Sequence, residues 1–156
     1  MQFVKVGKAF AVVDDEDWDQ VRHKNWHLLK TGYAGCNNWI DGRNYGQTMH
    51  RMIMKPRNGF VVDHIDGDKL NNRRANLRVC RHANNCKNAK LSKANKTGFK
   101  GVDLHSQNKN FRAQIMVNGK TIHLGCFKTA ELAGKAYDAA SLKYHGKFAN
   151  KKLYVK

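Results

Sequence analysis

Four turn signals break the chain into short pieces and rule out a single large sheet: Gly7-Lys8, Asp41-Gly42, Asp66-Gly67 and Asn118-Gly119. An Asn-Gly or Asp-Gly pair supplies the positive φ angles that a two-residue hairpin requires. Each of these turns lies between extended stretches too short to build a broad core. Residues 2–13 read as one hairpin, with Phe3 and Val4 before the turn and Ala9 to Val13 after it. Asp41-Gly42 joins extended pieces around Leu28 to Ile40 and Arg43 to Thr48. Phe111, Ala113, Ile115 and Val117 alternate with Arg112, Gln114 and Met116, the period-2 pattern of a strand with one buried face. Ile122 and Leu124 repeat that inward face beyond Asn118-Gly119, leaving Thr121 and His123 on the other. The class this predicts is α+β, built from several small units.

Helices are expected between the sheets. The carboxylates Asp14 to Asp17 open one, where they suit the positive end of the helix dipole, with Trp18, Val21, Arg22 and Trp26 at helical spacing. His50 to Lys55 reads as a short amphipathic helix stopped by Pro56, the only proline. Phe60 to Ile65 is then a strand, Asn71 to Asn76 a polar loop, Leu77 to Cys80 a second strand, and Arg81 to about Ser92 a helix. In the last third, Thr129 caps a helix reaching about His145, with Ala133, Ala136, Tyr137 and Ala140 as its apolar stripe and Gly146 as its stop.

Charge divides the chain as clearly as the turns do. Of 156 residues, 29 are Lys or Arg and 12 are Asp or Glu, a formal net charge of +17. Residues 1–46 hold six bases and six acids, residues 47–96 twelve and three, and residues 97–156 eleven and three. Such an excess indicates a polyanionic partner. The expected organisation is a neutral β-rich support over 1–46 followed by two polyanion-facing units, 47–96 and 97–156. Trp18, Trp26 and Trp39 could be stacking platforms for bases, but they are read as core of the support, because that segment has no net charge with which to hold nucleic acid. No apolar run approaches the roughly 20 residues of a membrane helix, and the alternation of Met1 to Val13 is not a secretion signal. Cys36, Cys80, Cys86 and Cys126 include no Cys-x-x-Cys pair, so neither structural zinc nor disulfides are expected, and reduced thiols fit a cytoplasmic compartment.

Asp63 and His64 adjoin each other at the end of the Phe60–Ile65 strand. A carboxylate there can hold Mg²⁺, or Mn²⁺, which keeps several waters and takes one or two protein oxygens. An imidazole beside it is matched to accepting a proton from water near neutral pH. A second ligand is expected on the facing helix, at Asn84 or Asn85.

The set His50-Arg51, Val62-Asp63-His64-Ile65-Asp66-Gly67-Asp68, Leu70-Asn71-Asn72, Asn76-Leu77-Arg78 and Asn84-Asn85 resembles the HNH endonuclease family, in the branch of phage and intron-encoded homing endonucleases. The resemblance implies a ββα-metal fold with Asp63 and Asn85 as metal ligands, His64 as general base and Asn76 as the loop residue that orients it. Asn stands where the family's name has its final His. His50, Arg51, Arg73, Arg74, Arg78 and His82 are candidate phosphate contacts. Residues 97–153 resemble the Apetala/ethylene-response-factor type DNA-binding domain through Gly98-Phe99-Lys100-Gly101-Val102, Phe111-Arg112-Ala113-Gln114-Ile115, Leu124-Gly125-Cys126-Phe127, Thr129-Ala130-Glu131 and Ala136-Tyr137-Asp138-Ala139-Ala140. That resemblance implies a three-stranded sheet in the major groove of double-stranded DNA. Lys100, Asp103, His105, Gln114, Met116, Thr121 and His123 match its DNA-facing positions, and Arg112 lies on the same open face. The expected function is a site-specific, metal-dependent DNA endonuclease of homing type, acting as a monomer, with a dimer on DNA as the alternative, and leaving 5′-phosphate and 3′-hydroxyl ends. A DNA-binding regulator with a decayed nuclease module, or a restriction or host-attacking HNH nuclease, shares the same features.

Overall fold

The structure, a computed structural model, describes residues 1–82, 84–85, 91, 94–105 and 109–149. The chain forms two compact units, residues 1–85 and 86–156. The first begins with the antiparallel hairpin β1(Gln2–Val6) and β2(Ala9–Val13). Its alternation buries Val4, Val6, Ala11 and Val13 and turns Phe3 and Phe10 outward. The acidic run then forms a 3₁₀ turn and the single-turn helix α1(Trp18–Val21), shorter than the spacing predicts. Trp26 reaches the core from the following loop, and its indole N–H donates to the Val21 carbonyl at 2.8 Å. A side chain closing the helix end in this way leaves no ladder to extend.

Three antiparallel strands follow in the order β3(His27–Leu28), β4(Ala34–Ile40) and β5(Arg43–Thr48). Asp41 and Gly42, at φ 49° and 72°, make the tight turn that their sequence predicts. Helix α2(Met49–Met54) buries Met49, His50, Met52 and Ile53 and ends at Lys55 in left-handed conformation before Pro56. β6(Phe60–His64) pairs with β7(Leu77–Arg81) in a register that sets Asp63 opposite Arg78 and His64 opposite Leu77. His82, Asn84 and Asn85 are helical; most of the rest of the helix expected to run to Ser92 lies outside the described residues.

Val4, Val6, Val13, Val21 and Trp26 join Met49, Ile53, Val62 and Leu77 in one core. Residues on both sides of position 46 therefore share it. Trp18 packs half-buried against this core, but Trp39 is 71% exposed and belongs to no core. The reading of Trp39 as core is corrected. It lies one residue short of the hairpin turn, beyond the reach of any packing layer.

In the second unit β8(Val102–Leu104), β9(Phe111–Val117) and β10(Lys120–Phe127) form an antiparallel sheet with β9 central. Helix α3(Ala130–His145) covers one face, and Thr129 Oγ1 accepts from Leu132 N at 3.3 Å as its cap. Val102, Ala113 and Ile115 meet Ala133, Tyr137 and Ala140. Gly101 is required where it stands: its φ is +67°, and a Cβ would collide with the Tyr137 ring. Among the described residues, no helix is long and apolar enough to cross a membrane.

Candidate nuclease site and nucleic-acid face

Asp63 and His64 are both buried, at 6% and 4% exposure, at the end of β6. Directly opposed residues of an antiparallel pair share a face, and this brings the Arg78 guanidinium onto Asp63. Nε and Nη2 donate to Oδ2 at 2.8 and 2.5 Å. Arg78, a candidate phosphate contact by sequence, thus holds the carboxylate instead.

His64 sits in a cage of rings. His50 meets it edge-on with centroids 5.2 Å apart, and Tyr33 lies 5.7 Å from His64 and 4.8 Å from His50. His50 Nε2 lies 3.2 Å from Thr48 Oγ1, and its buried Nδ1 has no hydrogen-bond partner among the described residues. His50 is therefore buried beside the candidate base rather than presented to a phosphate. Lys69 reaches across to place Nζ 4.7 Å above the Tyr33 ring, donating to the Thr31 carbonyl at 2.6 Å.

The loop from Asp66 to Asn72 is held from both ends. Asn76 donates Nδ2 to Asp66 Oδ1 at 2.9 Å and to the Asn71 carbonyl at 2.8 Å, while its Oδ1 accepts from Asp66 N at 3.0 Å. Asn76 is in this sense a loop-ordering residue. Another side chain that meets His64 is Asn72, which the matching string contains without an assigned role. Asn72 is fully buried and its Oδ1 lies 3.4 Å from His64 Nε2. Its Nδ2 donates to the Leu70 carbonyl at 3.1 Å, and its backbone N to the Val12 carbonyl at 2.8 Å. A carbonyl only accepts, so the amide cannot be flipped and Oδ1 faces the imidazole. This contact favours the His64 tautomer with its proton on Nε2. The β1–β2 hairpin, through Val12, anchors the loop that sets this tautomer.

Burial disfavours the charged form of both imidazoles. It pushes the pKa of His50 down to about 3, helped by the charges of His64 and Arg51. It also lowers that of His64, against the Asn72 hydrogen bond and the carboxylates of Asp66, Asp63 and Asp68, which favour the charged form. Burial and then Asp63 raise the Tyr33 hydroxyl. For Asp66 burial works upward, but hydrogen bonds from Asp68, Asn71 and Asn76 outweigh it and leave the carboxyl below its usual range.

The remaining candidates are dispersed. Arg73 and Arg74 are exposed but engaged in ion pairs: Arg73 pairs with Asp14 at 3.2 Å, and Arg74 grips Asp17 at 2.7 and 2.8 Å and Glu16 at 3.1 Å. Arg51 and His82 are exposed, and Asn84 and Asn85 are both half-buried. Tyr33 and Lys69 had no sequence signal. Tyr33 meets His64 and His50, and Lys69 meets Tyr33, because the segment before β4 and the loop after β6 converge.

On the second unit, Asp103, Arg112, Gln114, Met116, Thr121 and His123 share the sheet face opposite α3, with Gln114 paired to His123 and Met116 to Thr121. Asp103 takes both Nε and Nη2 of Arg112, at 3.0 and 2.6 Å. That fork lowers the Asp103 pKa. His105, expected on this face, is half-buried, with Nδ1 buried and without a hydrogen-bond partner among the described residues. Lys100 is half-buried ahead of β8.

Residues 50–87 match the family described as HNH endonuclease. An uncharacterized HNH endonuclease of Acanthamoeba polyphaga mimivirus is 32% identical over 143 residues, which are 90% of this chain and 73% of that protein. An AP2/ERF and B3 domain-containing transcription factor of Arabidopsis thaliana is 46% identical over 57 residues, 36% of this chain and 16% of that protein. Among solved structures, the HNH homing endonuclease I-HmuI aligns over 72% of this chain and 66% of its own, at 22% identity and a TM-score of 0.40.

Proposed function

This chain belongs to the HNH endonuclease family, and from that premise we propose that it is a divalent-metal-dependent DNA endonuclease of homing type, with His64 as general base. The observation that carries the proposal is the locked imidazole. His64 adjoins Asp63 at a strand end, and its Nε2 proton is pinned on an amide oxygen that can only accept. Nδ1 is therefore the atom that takes the proton of the attacking water. Burial lowers the pKa of the ring and so favours the neutral form that can accept it. As the water oxygen bonds to phosphorus, the bond to the 3′ oxygen breaks and that oxygen takes a proton from solvent, leaving 5′-phosphate and 3′-hydroxyl ends.

The donor chemistry fits a hard cation. Asp63 offers a carboxylate oxygen and Asn85 an amide oxygen, a set that suits Mg²⁺ or Mn²⁺. When bound, such an ion neutralises charge on the scissile phosphate and on the departing oxygen. The Arg78 guanidinium holds the Asp63 carboxylate in place. The sheet face of the second unit engages double-stranded DNA, with Gln114, Thr121 and His123 toward base edges, Lys100 and His105 at its margin, and Arg112 oriented by Asp103. The high positive charge of residues 97–156 and the likeness of this stretch to a plant AP2/ERF protein support that assignment. The enzyme acts as a monomer in the cytoplasm.

Nicking of supercoiled plasmid by the full chain, with and without EDTA, tests the proposal. His64→Ala should lose about 10²–10⁴-fold in rate while DNA affinity stays near wild type. Near wild-type cleavage by His64→Ala, or cleavage indifferent to EDTA, refutes it.

A further inference from the structure

The far end of the β4–β5 hairpin holds three large apolar side chains in solvent: Trp39 at 71% exposure, Ile40 at 56% and Tyr45 at 50%. The register sets Trp39 beside Asn44 on one face, and Tyr45 beside Asn38 on the other. An exposed aromatic by itself is ordinary. The charge around this one is not.

The even count of six acids and six bases over residues 1–46 conceals where the charges lie. Asp14 is engaged by Arg73, Glu16 and Asp17 by Arg74, Asp15 by the terminal ammonium and Asp19 by Arg22. Three of those acids are thus paired with two arginines from outside the segment. The acid left is Asp41, at the hairpin turn. Lys24, Lys30 and Arg43, around the same sheet, have no ion pair among the described residues. The segment is neutral in sum and basic on this face.

Two clefts follow the sheet and share Gly46 and Gln47. One is lined by Lys24, Asn38 and Tyr45, the other by Arg51 and Lys55, and among the described residues no carboxylate lines either. Within the first, Lys24 Nζ donates to Asn38 Oδ1 at 3.1 Å and Asn38 Nδ2 to Gln47 Oε1 at 2.9 Å, a row of polar groups along the ribbon. Thr48, the next residue, contacts His50 beside the candidate base.

We infer that the β4–β5 ribbon is a second DNA-contacting surface, docking in a groove of the duplex beside the nuclease site. A major groove admits a two-stranded ribbon, and Asn and Gln side chains pair with adenine edges there. Lys24, Arg43, Arg51 and Lys55 meet phosphates, which set register and orientation. Trp39 packs against exposed sugar or base at the tip. This inference rests on the nuclease reading and adds the surface that places the phosphate at His64.

The test uses the full chain and a labelled mixed-sequence duplex, with affinity measured by anisotropy over a range of salt. Arg43→Ala should weaken binding about fivefold and lower the slope of log affinity against log salt by about one. Trp39→Ala should weaken it about fivefold, with an unchanged unfolding midpoint because its side chain lies in solvent. DNA should quench tryptophan emission in the wild type and not in Trp39→Phe. Wild-type affinity and salt slope in both alanine variants overturn the inference. So does a Trp39→Ala variant that keeps DNA affinity but loses self-association in sedimentation velocity, which makes the tip a protein interface. A chain that neither binds nor nicks DNA defeats the nuclease reading as well. One that nicks normally in all these variants defeats only the ribbon.

Discussion

Replacing His50 by glutamine should flatten the acid side of this protein's stability curve. His50 is 7% exposed between Tyr33 and His64, and its pKa falls from the ordinary 6.5 to about 3 because burial opposes the charged ring. The folded value is the lower one, so below pH 6.5 the unfolded chain binds the proton and the folded chain does not. Stability is then complete above pH 6.5 and is lost progressively as pH falls from there toward about 3. At pH 5 the unfolded imidazole is almost fully protonated and the folded one almost bare. Integrating that difference from pH 8 gives a loss of about 2 kcal/mol from this one side chain. All three tryptophans, Trp18, Trp26 and Trp39, lie within residues 1–85, so urea unfolding followed by their emission reports on the unit that contains His50. Wild type should lose about 2 kcal/mol more than His50→Gln between pH 8 and pH 5. His64 and the carboxylates titrate in both proteins, and the difference between the two curves isolates His50. Equal losses would show that the folded ring takes its proton at an ordinary pKa and that the cage does not exclude charge.

Other outcomes follow from the same geometry. Asn84 and Asn85 are consecutive helical residues, which point about 100° apart; Asn85→Ala should abolish plasmid nicking across a metal titration, and Asn84→Ala should change little. A dead Asn84→Ala beside an active Asn85→Ala would shift the ligand by one residue. Asn72→Ala removes the acceptor for His64 Nε2–H and should forfeit part of the roughly 10²–10⁴-fold supplied by the general base, with DNA affinity retained; an unchanged cleavage rate would show that the tautomer is set elsewhere. Gly101→Ala places a Cβ against Tyr137 and 2.5 Å from the Gln114 carbonyl oxygen at a positive φ, and should destabilise residues 86–156 by more than about 1 kcal/mol. Calorimetry with an unmoved transition for that unit would count against the packing described.

The hairpins were legible because their instructions are local. Asp41-Gly42 and Asn118-Gly119 carry their own positive φ angles, the alternation from Phe111 to Val117 chooses its buried face residue by residue, and Thr129 caps the helix that begins beside it. The string from His50 to Asn85 likewise announced a nuclease through residue types at set spacing. Helix α1 was overread because the pattern from Trp18 to Trp26 serves a loop that returns to the core as well as it serves a helix. What no local pattern contained was the identity of partners distant in sequence. Arg74 finds Asp17 across 57 residues, Lys69 finds Thr31 across 38, and Tyr33 closes over His50 and His64. Those contacts decide which charges are neutralised, and so decide that a segment with no net charge presents a basic face. By itself the sequence determined which short elements form and which residues can do chemistry. Only the tertiary structure decided that Asn72 holds the imidazole, that Arg73 and Arg74 pair with the acids of Asp14 to Asp17 and that Trp39 stands in solvent. Turn and strand preferences act over a few residues, whereas burial and ion pairing are settled only when distant segments pack together.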